Sequence, residues 1–405
     1  MHKSARHLLL YTIVTAFANN IFNVILNLFL REINLTNGQI GNITSAQLWG
    51  AAILGLLVST LADMFGRRRI LLLSSVVIPL FSILLVFQKE MPALLVLSFL
   101  RGGFLVVSFT VVQALMVTLS ETRHRAKLFG LNMGLMMGSG VLGNFLGGWM
   151  GDTLGLQPTL VVSMVLFFVS FFPLLRIQAV EPVRRLKHVF DFSGFSLGQK
   201  RILFFHYMTT VTVGFGAGLF IHFGNLIFKD LFDMSATGIG IALSVAQLGT
   251  AFGNSFAHRL GNRFGPLEFR LLTQALVVPL MVGLVLVRNP FVFTVLYALR
   301  FVLMNTATPI FASIVNSSIP SESISTISGI NSFLNNAVRG VAAMLFGFIV
   351  GASIEGYNLL FSISTVFYGA NVLIAFFILK LYRDDPVVQS LFTKRAGKSG
   401  RSSRG

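Results

Sequence analysis

Arg101, Arg300 and Arg339 fall inside long apolar segments, where a charged side chain needs a partner. An arginine at the centre of a bilayer costs about 2.5 kcal/mol or more, so such residues face a cavity or another protein group rather than lipid. Polar side chains accompany them at similar predicted depth. Asn20, Asn23 and Asn27 share one face of a helix, and His222 and Asn225 share another. His222, and with less reason His206, are the apolar-segment side chains whose ordinary titration range reaches neutral pH. All 14 acidic residues fall in predicted loops or at helix ends, whereas proton-coupled carriers commonly bury an Asp or Glu. Singly, each Asn could be interhelical glue and each Arg could bond to backbone carbonyls. As a set they form a positively charged site, better suited to an anionic or neutral solute than to a cation.

The elements that hold these residues occur twice, at a constant offset of 199 residues. Gly41 recurs as Gly240, Gly50 as Gly249, Gly66 as Gly265, Arg101 as Arg300 and Gly148 as Gly347. Gly130-Leu131-Asn132 recurs as Gly329-Ile330-Asn331, and Asn23 corresponds to His222. A duplicated apolar unit with matched internal cations has the form of a two-halved transporter.

Composition fixes the solvent. The chain is 54% hydrophobic and 11% charged, against about 25% charged residues in an ordinary soluble domain. Apolar stretches of about 20 residues, each enough to cross a bilayer core, recur along it. A net charge of +17 would suggest nucleic acid in a soluble protein. Here the distribution of that charge excludes nucleic acid as a partner. With a cytoplasmic N-terminus, Arg31, Lys89, Lys229 and Arg288 are the Lys and Arg residues expected outside. Arg101, Arg300 and Arg339 lie within spans, and the rest fall on the inner side, a strong positive-inside bias. The stretch from Lys3 to Ala18 has the outline of a signal peptide. Its apolar run continues to Leu30 and belongs to the repeat, so it is expected to stay as the first span.

Twelve helices are expected, at 8–30, 38–61, 70–87, 92–119, 126–150 and 158–177, then 201–227, 237–260, 267–287, 290–318, 324–350 and 357–381. Apolar segments of this length satisfy their own backbone only as helices. The expected organisation is a six-helix bundle over residues 1–177, a basic cytoplasmic loop at 178–200, a second six-helix bundle at 201–381 and a disordered basic tail at 382–405. Both termini then lie in the cytoplasm, with the protein in the inner (plasma) membrane.

After the second span comes Leu61-Ala62-Asp63-Met64-Phe65-Gly66-Arg67-Arg68-Arg69. This resembles the loop signature of the major facilitator superfamily, with Ser59 where a glycine is usual. Gly66 permits a sharp turn, and the arginines hold the loop at one face. The resemblance implies a conformational latch, with Asp63 against the positive end of the eleventh helix and Arg67 paired with Glu121. In the second half Asn262-Arg263-Phe264-Gly265 is a decayed copy. Gly130, Ser139, Gly143, Asn144, Gly147 and Gly148 partly resemble the family's antiporter motif, with Asn144 where a proline is usual. That implies a seal between the fifth and eighth helices, as in exporters; small residues at this spacing also suit helix packing in general. Leu97 to Arg101 resembles part of the fourth-helix motif, in which the arginine faces the central cavity.

The resemblance covers nearly the whole chain and implies an all-α integral membrane protein of twelve helices that works by alternating access. Asn23, His222, Arg101 and Arg300 would then ring a central cavity, with Asn20, Asn27, Asn225 and Arg339 nearby. No Walker loop, metal-ligand cluster, cysteine or nucleophilic triad is present in the sequence, so no cofactor or enzymatic activity is expected. The expected partners are a small-molecule substrate, a proton or other ion gradient and lipid, with the protein a monomer. The sequence points first to a proton-coupled exporter of amphipathic compounds. The alternatives are an importer or exchanger of organic anions, and a non-transporting sensor or lipid-handling protein on the same fold.

Overall fold

The computed structural model describes residues 3–383 except 121, 178–193, 307, 321–322 and 352, so most of the expected central loop and tail lie outside the described residues. The helices of the first half are α1 (Lys3–Glu32), α2 (Asn37–Phe65), α3 (Arg67–Phe87), α4 (Met91–Thr118), α5 (Thr122–Leu154), α6 (Leu156–Val169) and α7 (Phe171–Leu175). The second half contains α8 (Leu197–Gly218), a 3-10 turn (Ile221–Phe223), α9 (Gly224–Phe232), α10 (Ala236–Phe264) and α11 (Pro266–Leu286). It continues with α12 (Pro290–Thr306), α13 (Thr308–Ser318), α14 (Ile324–Val350) and α15 (Ile354–Tyr382). Among the described residues eleven segments are long and apolar enough to cross a membrane. The fifth of the twelve expected helices, α5, has the length, but its glycines, Asn132 and Asn144 make it less apolar. Large apolar side chains such as Phe87, Phe252, Phe291 and Phe348 stay exposed on the outside of the bundle, where lipid is their natural solvent.

Local sequence accounts for several helix starts. Ser196 and Gln199 form a reciprocal capping box at α8, and Ser235 and Ser353 cap α10 and α15. Gly66 and Gly265, equivalent in the repeat, precede α3 and α11 with φ of 96° and 86°, a region closed to most side chains. The seventh helix departs from expectation. It breaks after Gly218 into the 3-10 turn before α9 begins at Gly224. Gly214, Gly216, Gly218 and Gly224 lower its helical propensity, and tertiary contacts use the freedom. Gly218 lies against the backbone of Arg339, and Gly224 against the hydroxyl of Tyr297.

One face of the bundle carries the start of α1 and Arg67 to Arg69; the other carries Arg31, Lys89, Lys229 and Arg288. We call these the basic and arginine-poor faces. The apolar core is single toward the arginine-poor face, where Phe22, Phe29, Leu85, Phe220, Phe228, Tyr297 and Phe346 from both halves join one cluster. Toward the basic face it divides. Leu8, Tyr11, Val111, Leu115 and Leu174 form one cluster, and Ile202, Leu267, Ile314, Ile327 and Ile378 a separate one. One core at one end and two at the other describe a bundle closed at the arginine-poor face and parted at the basic face.

The repeated glycines form the seams of the closed end. A methyl group added at Gly41 of α2 would lie 2.7 Å from the Ala343 carbonyl oxygen of α14, and one at Gly347 would meet the backbone of Gly38. Added at Gly148 of α5 it would meet the Ala236 carbonyl, and at Gly240 of α10 the Asn144 carbonyl. Backbone-to-backbone approach at both seams leaves no room for a side chain, which is a physical reason for the same glycine in both halves.

Candidate functional site

Arg101 is fully buried on α4 and held from four directions. Its Nε donates to Ser82 Oγ (2.9 Å), Nη1 to Gln47 Oε1 (3.1 Å), and Nη2 to Asn19 Oδ1 (2.8 Å) and Asn23 Oδ1 (3.1 Å). Its guanidinium carbon stands 4.3 Å from the centre of the Phe22 ring. Gly50 and Gly102 let the α2 and α4 backbones touch, which brings Gln47 within reach. The arginine thus ties α1, α2, α3 and α4 together.

Arg300, its repeat mate on α12, has no such frame. At the offset of 199, Ser82 becomes Met281, Gln47 becomes Ala246, Asn19 becomes Gly218 and Asn23 becomes His222. Arg300 is 2% exposed and has no hydrogen bond among the described residues. Its guanidinium sits 4.9 Å from the Phe220 ring, 4.9 Å from Phe301 and 5.0 Å from Tyr368, and its Nε lacks a partner. Aromatic faces attract the cation without consuming its N–H groups.

Arg300 lines a cavity of about 430 Å³ whose described lining all belongs to the second half. Arg339 of α14 and Arg270 of α11 line it too, and among the described residues no Asp or Glu does. Arg270, 3% exposed, donates to Thr209 Oγ1 at 2.9 Å and stacks 3.4 Å from the Phe311 ring centre. Arg270 Nη1 and Arg339 Nε lack partners, like Arg300 Nε. His206, Gln274, Asn305, Asn331 and Asn335 supply further polar groups. Arg270, expected among the charges of the inner side, lies one turn into α11 and faces inward.

A second cavity, of about 290 Å³, lies between the halves. Asn20, Asn23 and Asn27 of α1 line it with Thr44, Gln47, Asn144, His222, Asn225 and Gln247. Asn27 Nδ2 donates to the His222 carbonyl (2.7 Å) and Asn225 Oδ1 (3.1 Å), while Asn225 Nδ2 donates to the Val24 carbonyl (2.9 Å). His222 Nε2 has no partner. Ile221 and Phe301 line both cavities, so the break in the seventh helix stands between them.

The expected ring of Asn23, His222, Arg101 and Arg300 is therefore not assembled. Asn23 and His222 share the cavity between the halves. Arg101 lies behind its wall, lining neither cavity, and Arg300 lines the other. Asp63 stands near the end of α2 with its side chain outside the description, and Glu121 lies outside the described residues altogether, so their latch roles have no geometry here. Arg67 Nη1 donates to Thr118 Oγ1 (2.8 Å) at the end of α4. Of the fifth-helix residues, Gly143 and Gly147 face α1, Gly148 faces α10 and Ser139 is buried. Among the described residues nothing lies within 4 Å of a methyl group added at Gly130.

Sequence reading did not single out the closure of the arginine-poor face. Arg31 of α1 and Asp230 of α9 form an ion pair at 3.3 Å, Tyr357 donates its hydroxyl to Asp230 (2.6 Å), and Arg31 also bonds to Asn37. Asp152 of α5 accepts from the backbone N–H groups of Ala236 (3.0 Å) and Thr237 (2.8 Å) at the start of α10. The signal for Arg31 and Asp230 was available in their separation, the repeat offset itself.

Residues 8–343 match the Major Facilitator Superfamily. The chain belongs to that family. No curated protein matches it in sequence. Among solved structures, a bacterial homologue of the human lysosomal transporter Spinster, inward-facing and occupied, superposes with a TM-score of 0.76 at 13% identity, over 93% of this chain and 96% of that one. The nucleoside transporter NupG gives 0.72 at 13% identity, over 95% and 100%. A D-xylose-proton symporter gives 0.72 at 14%, over 93% and 96%. At these identities the likeness concerns the major facilitator fold.

Proposed function

We propose that this major facilitator protein is a secondary transporter of small organic anions, and that Arg270, Arg300 and Arg339 hold the anionic group. One observation carries the reading: three arginines line one cavity, each with an N–H lacking a partner, and among the described residues no carboxylate lines it. A buried cation without a counter-charge is costly, and an anion would supply charge-assisted hydrogen bonds of about 1.5–3 kcal/mol each. Export of amphipathic compounds has less support here, because among the described residues no acid lines either cavity to carry a proton. Gly148 does pack α5 against α10, the fifth and eighth helices, but small residues at this spacing suit helix packing in general.

In this reading the bundles of residues 1–177 and 201–381 rock about the cavities. With the basic face in the cytoplasm, the arrangement is inward-facing, closed outside by Arg31, Asp230 and Tyr357. The protein acts as a monomer in the plasma membrane, and the substrate gradient sets the direction.

The test is counterflow in proteoliposomes, offering organic anions and hydrophobic cations separately. Anion exchange that needs no imposed pH gradient and is lost in Arg300→Gln supports the reading. Cation efflux driven by a pH gradient, unaffected by that variant, would overturn it.

A further inference from the structure

Both cavities contain unused polar groups, but of different kinds. Around the arginines three positively charged donors lack partners, beside His206 Nδ1. Between the halves the unpartnered groups are all neutral. Thr44, Asn144 and Gln247 make no side-chain hydrogen bond among the described residues, Asn20 uses its nitrogen toward the Ala16 carbonyl, and Gln47 uses its oxygen toward Arg101. Their remaining hydroxyl, amide N–H and carbonyl groups suit a ligand rich in hydroxyl or amide groups. Ile221 and Phe301 belong to both walls, so one molecule passing them would meet both sets.

We propose that the two cavities are subsites for one bipartite solute, an organic anion with a hydroxylated or amide-bearing body. This rests on the anion-transport reading above. The charged group binds at Arg270, Arg300 and Arg339, and the neutral body at Thr44, Asn144 and Gln247. The subsites act differently because of their origin. All described residues of the arginine cavity belong to the second half, so its contacts persist as the halves rock. The neutral cavity takes Asn20, Thr44, Gln47 and Asn144 from the first half and Gln247 from the second, so rocking dismantles it. A ligand shifts a conformational equilibrium only by its difference in affinity between the states. The anionic group therefore anchors the solute in either state, whereas the neutral body favours the state closed at the arginine-poor face, in which both halves supply its site.

The full-length protein can be tested with gluconate, hexanesulfonate and sorbitol, a hydroxylated anion, an apolar-bodied anion and a neutral polyol. Thermal stabilisation reports binding. Both anions should stabilise the wild type but not Arg300→Gln, and sorbitol should stabilise neither. Gln247→Leu or Thr44→Val should weaken gluconate binding roughly three- to tenfold, the worth of a neutral hydrogen bond. Hexanesulfonate stabilisation should be unchanged, which also shows that each variant is folded. Gluconate binding indifferent to both variants overturns the bipartite site and leaves anion transport standing. Failure of both anions to bind, or sorbitol binding as well as gluconate, overturns the two proposals together.

Discussion

Arg31 and Asp230 stand 199 residues apart, at equivalent positions of the two halves, and meet across the boundary between them with 3.3 Å between guanidinium and carboxylate. A pair formed by equivalent positions lies near the pseudo-two-fold axis, where the halves must separate to open this face. Each side chain is only partly exposed, and Tyr357 and Asn37 add bonds to the pair.

Removal of the Asp230 carboxylate should loosen this closure. An ion pair of this exposure contributes about 1 kcal/mol or less, and the lost Tyr357 bond adds about as much. Asp230→Ala should thus raise opening at the arginine-poor face roughly five- to thirtyfold. The chain has no cysteine, so Thr44→Cys gives a single reporter in the cavity between the halves. Its labelling by an impermeant thiol reagent from the arginine-poor side should accelerate by that factor. An unchanged rate would show that the pair does not hold the face closed.

Arg101 and Arg300 should respond oppositely to the same substitution. Arg101→Gln removes a cation holding four acceptors, at about 1 kcal/mol or more for each bond lost, and should lower the Tm by several degrees. Arg300→Gln removes a buried charge with no hydrogen bond among the described residues, so stability should hold or rise. Anion binding should be lost in Arg300→Gln. Thermal unfolding of the two variants with and without gluconate checks both statements, and equal losses of Tm would contradict the division of labour.

The duplication, its glycine pairs and the apolar helices were readable because each depends on nearby residues or a fixed offset. The difference between Arg101 and Arg300 was harder to see. An arginine's role depends on acceptors supplied by other helices, and Ser82, Gln47 and Asn19 lie on three of them. The same offset that paired the arginines shows Met281, Ala246 and Gly218 in their places, so the information existed one step further along the repeat. Arg270 was misplaced for another reason. Charge near a helix start reads as loop charge, and only packing against Phe311 and Thr209 turns it inward. The broken seventh helix had a local signal, four glycines within eleven residues of an otherwise apolar run.

The glycines of α5 allow a graded test along one helix. Gly→Ala in an exposed helix interior gains roughly 1 kcal/mol. At Gly130, where the described residues leave the space open, Ala should maintain or raise thermal stability. At Gly148 the added methyl would meet the Ala236 carbonyl and stand 3.1 Å from Gly240 Cα, so α5 and α10 must part. Gly148→Ala should lower stability and speed labelling of the Thr44→Cys reporter from the arginine-poor side. Equal behaviour at the two positions would mean that the α5–α10 seam does not close that face.

Arg270 separates an anion site from a cavity that merely contains arginines. Its Nη2 is committed to Thr209 and its plane to Phe311, leaving Nη1 for a ligand. Arg270→Lys keeps the charge but loses the planar fork that makes these contacts simultaneously. If the guanidinium binds the anion, Arg270→Lys should raise the half-saturating gluconate concentration in counterflow roughly tenfold, the worth of one charge-assisted hydrogen bond. The maximal rate should change little, because Arg270 moves with the second half whichever face is open. Thr209→Val removes the bond that orients Arg270 while leaving the charge, and should give a smaller shift in the same direction. A variant that lowered the maximal rate at unchanged half-saturation would instead assign Arg270 to the rocking motion and leave Arg300 and Arg339 as the anion site.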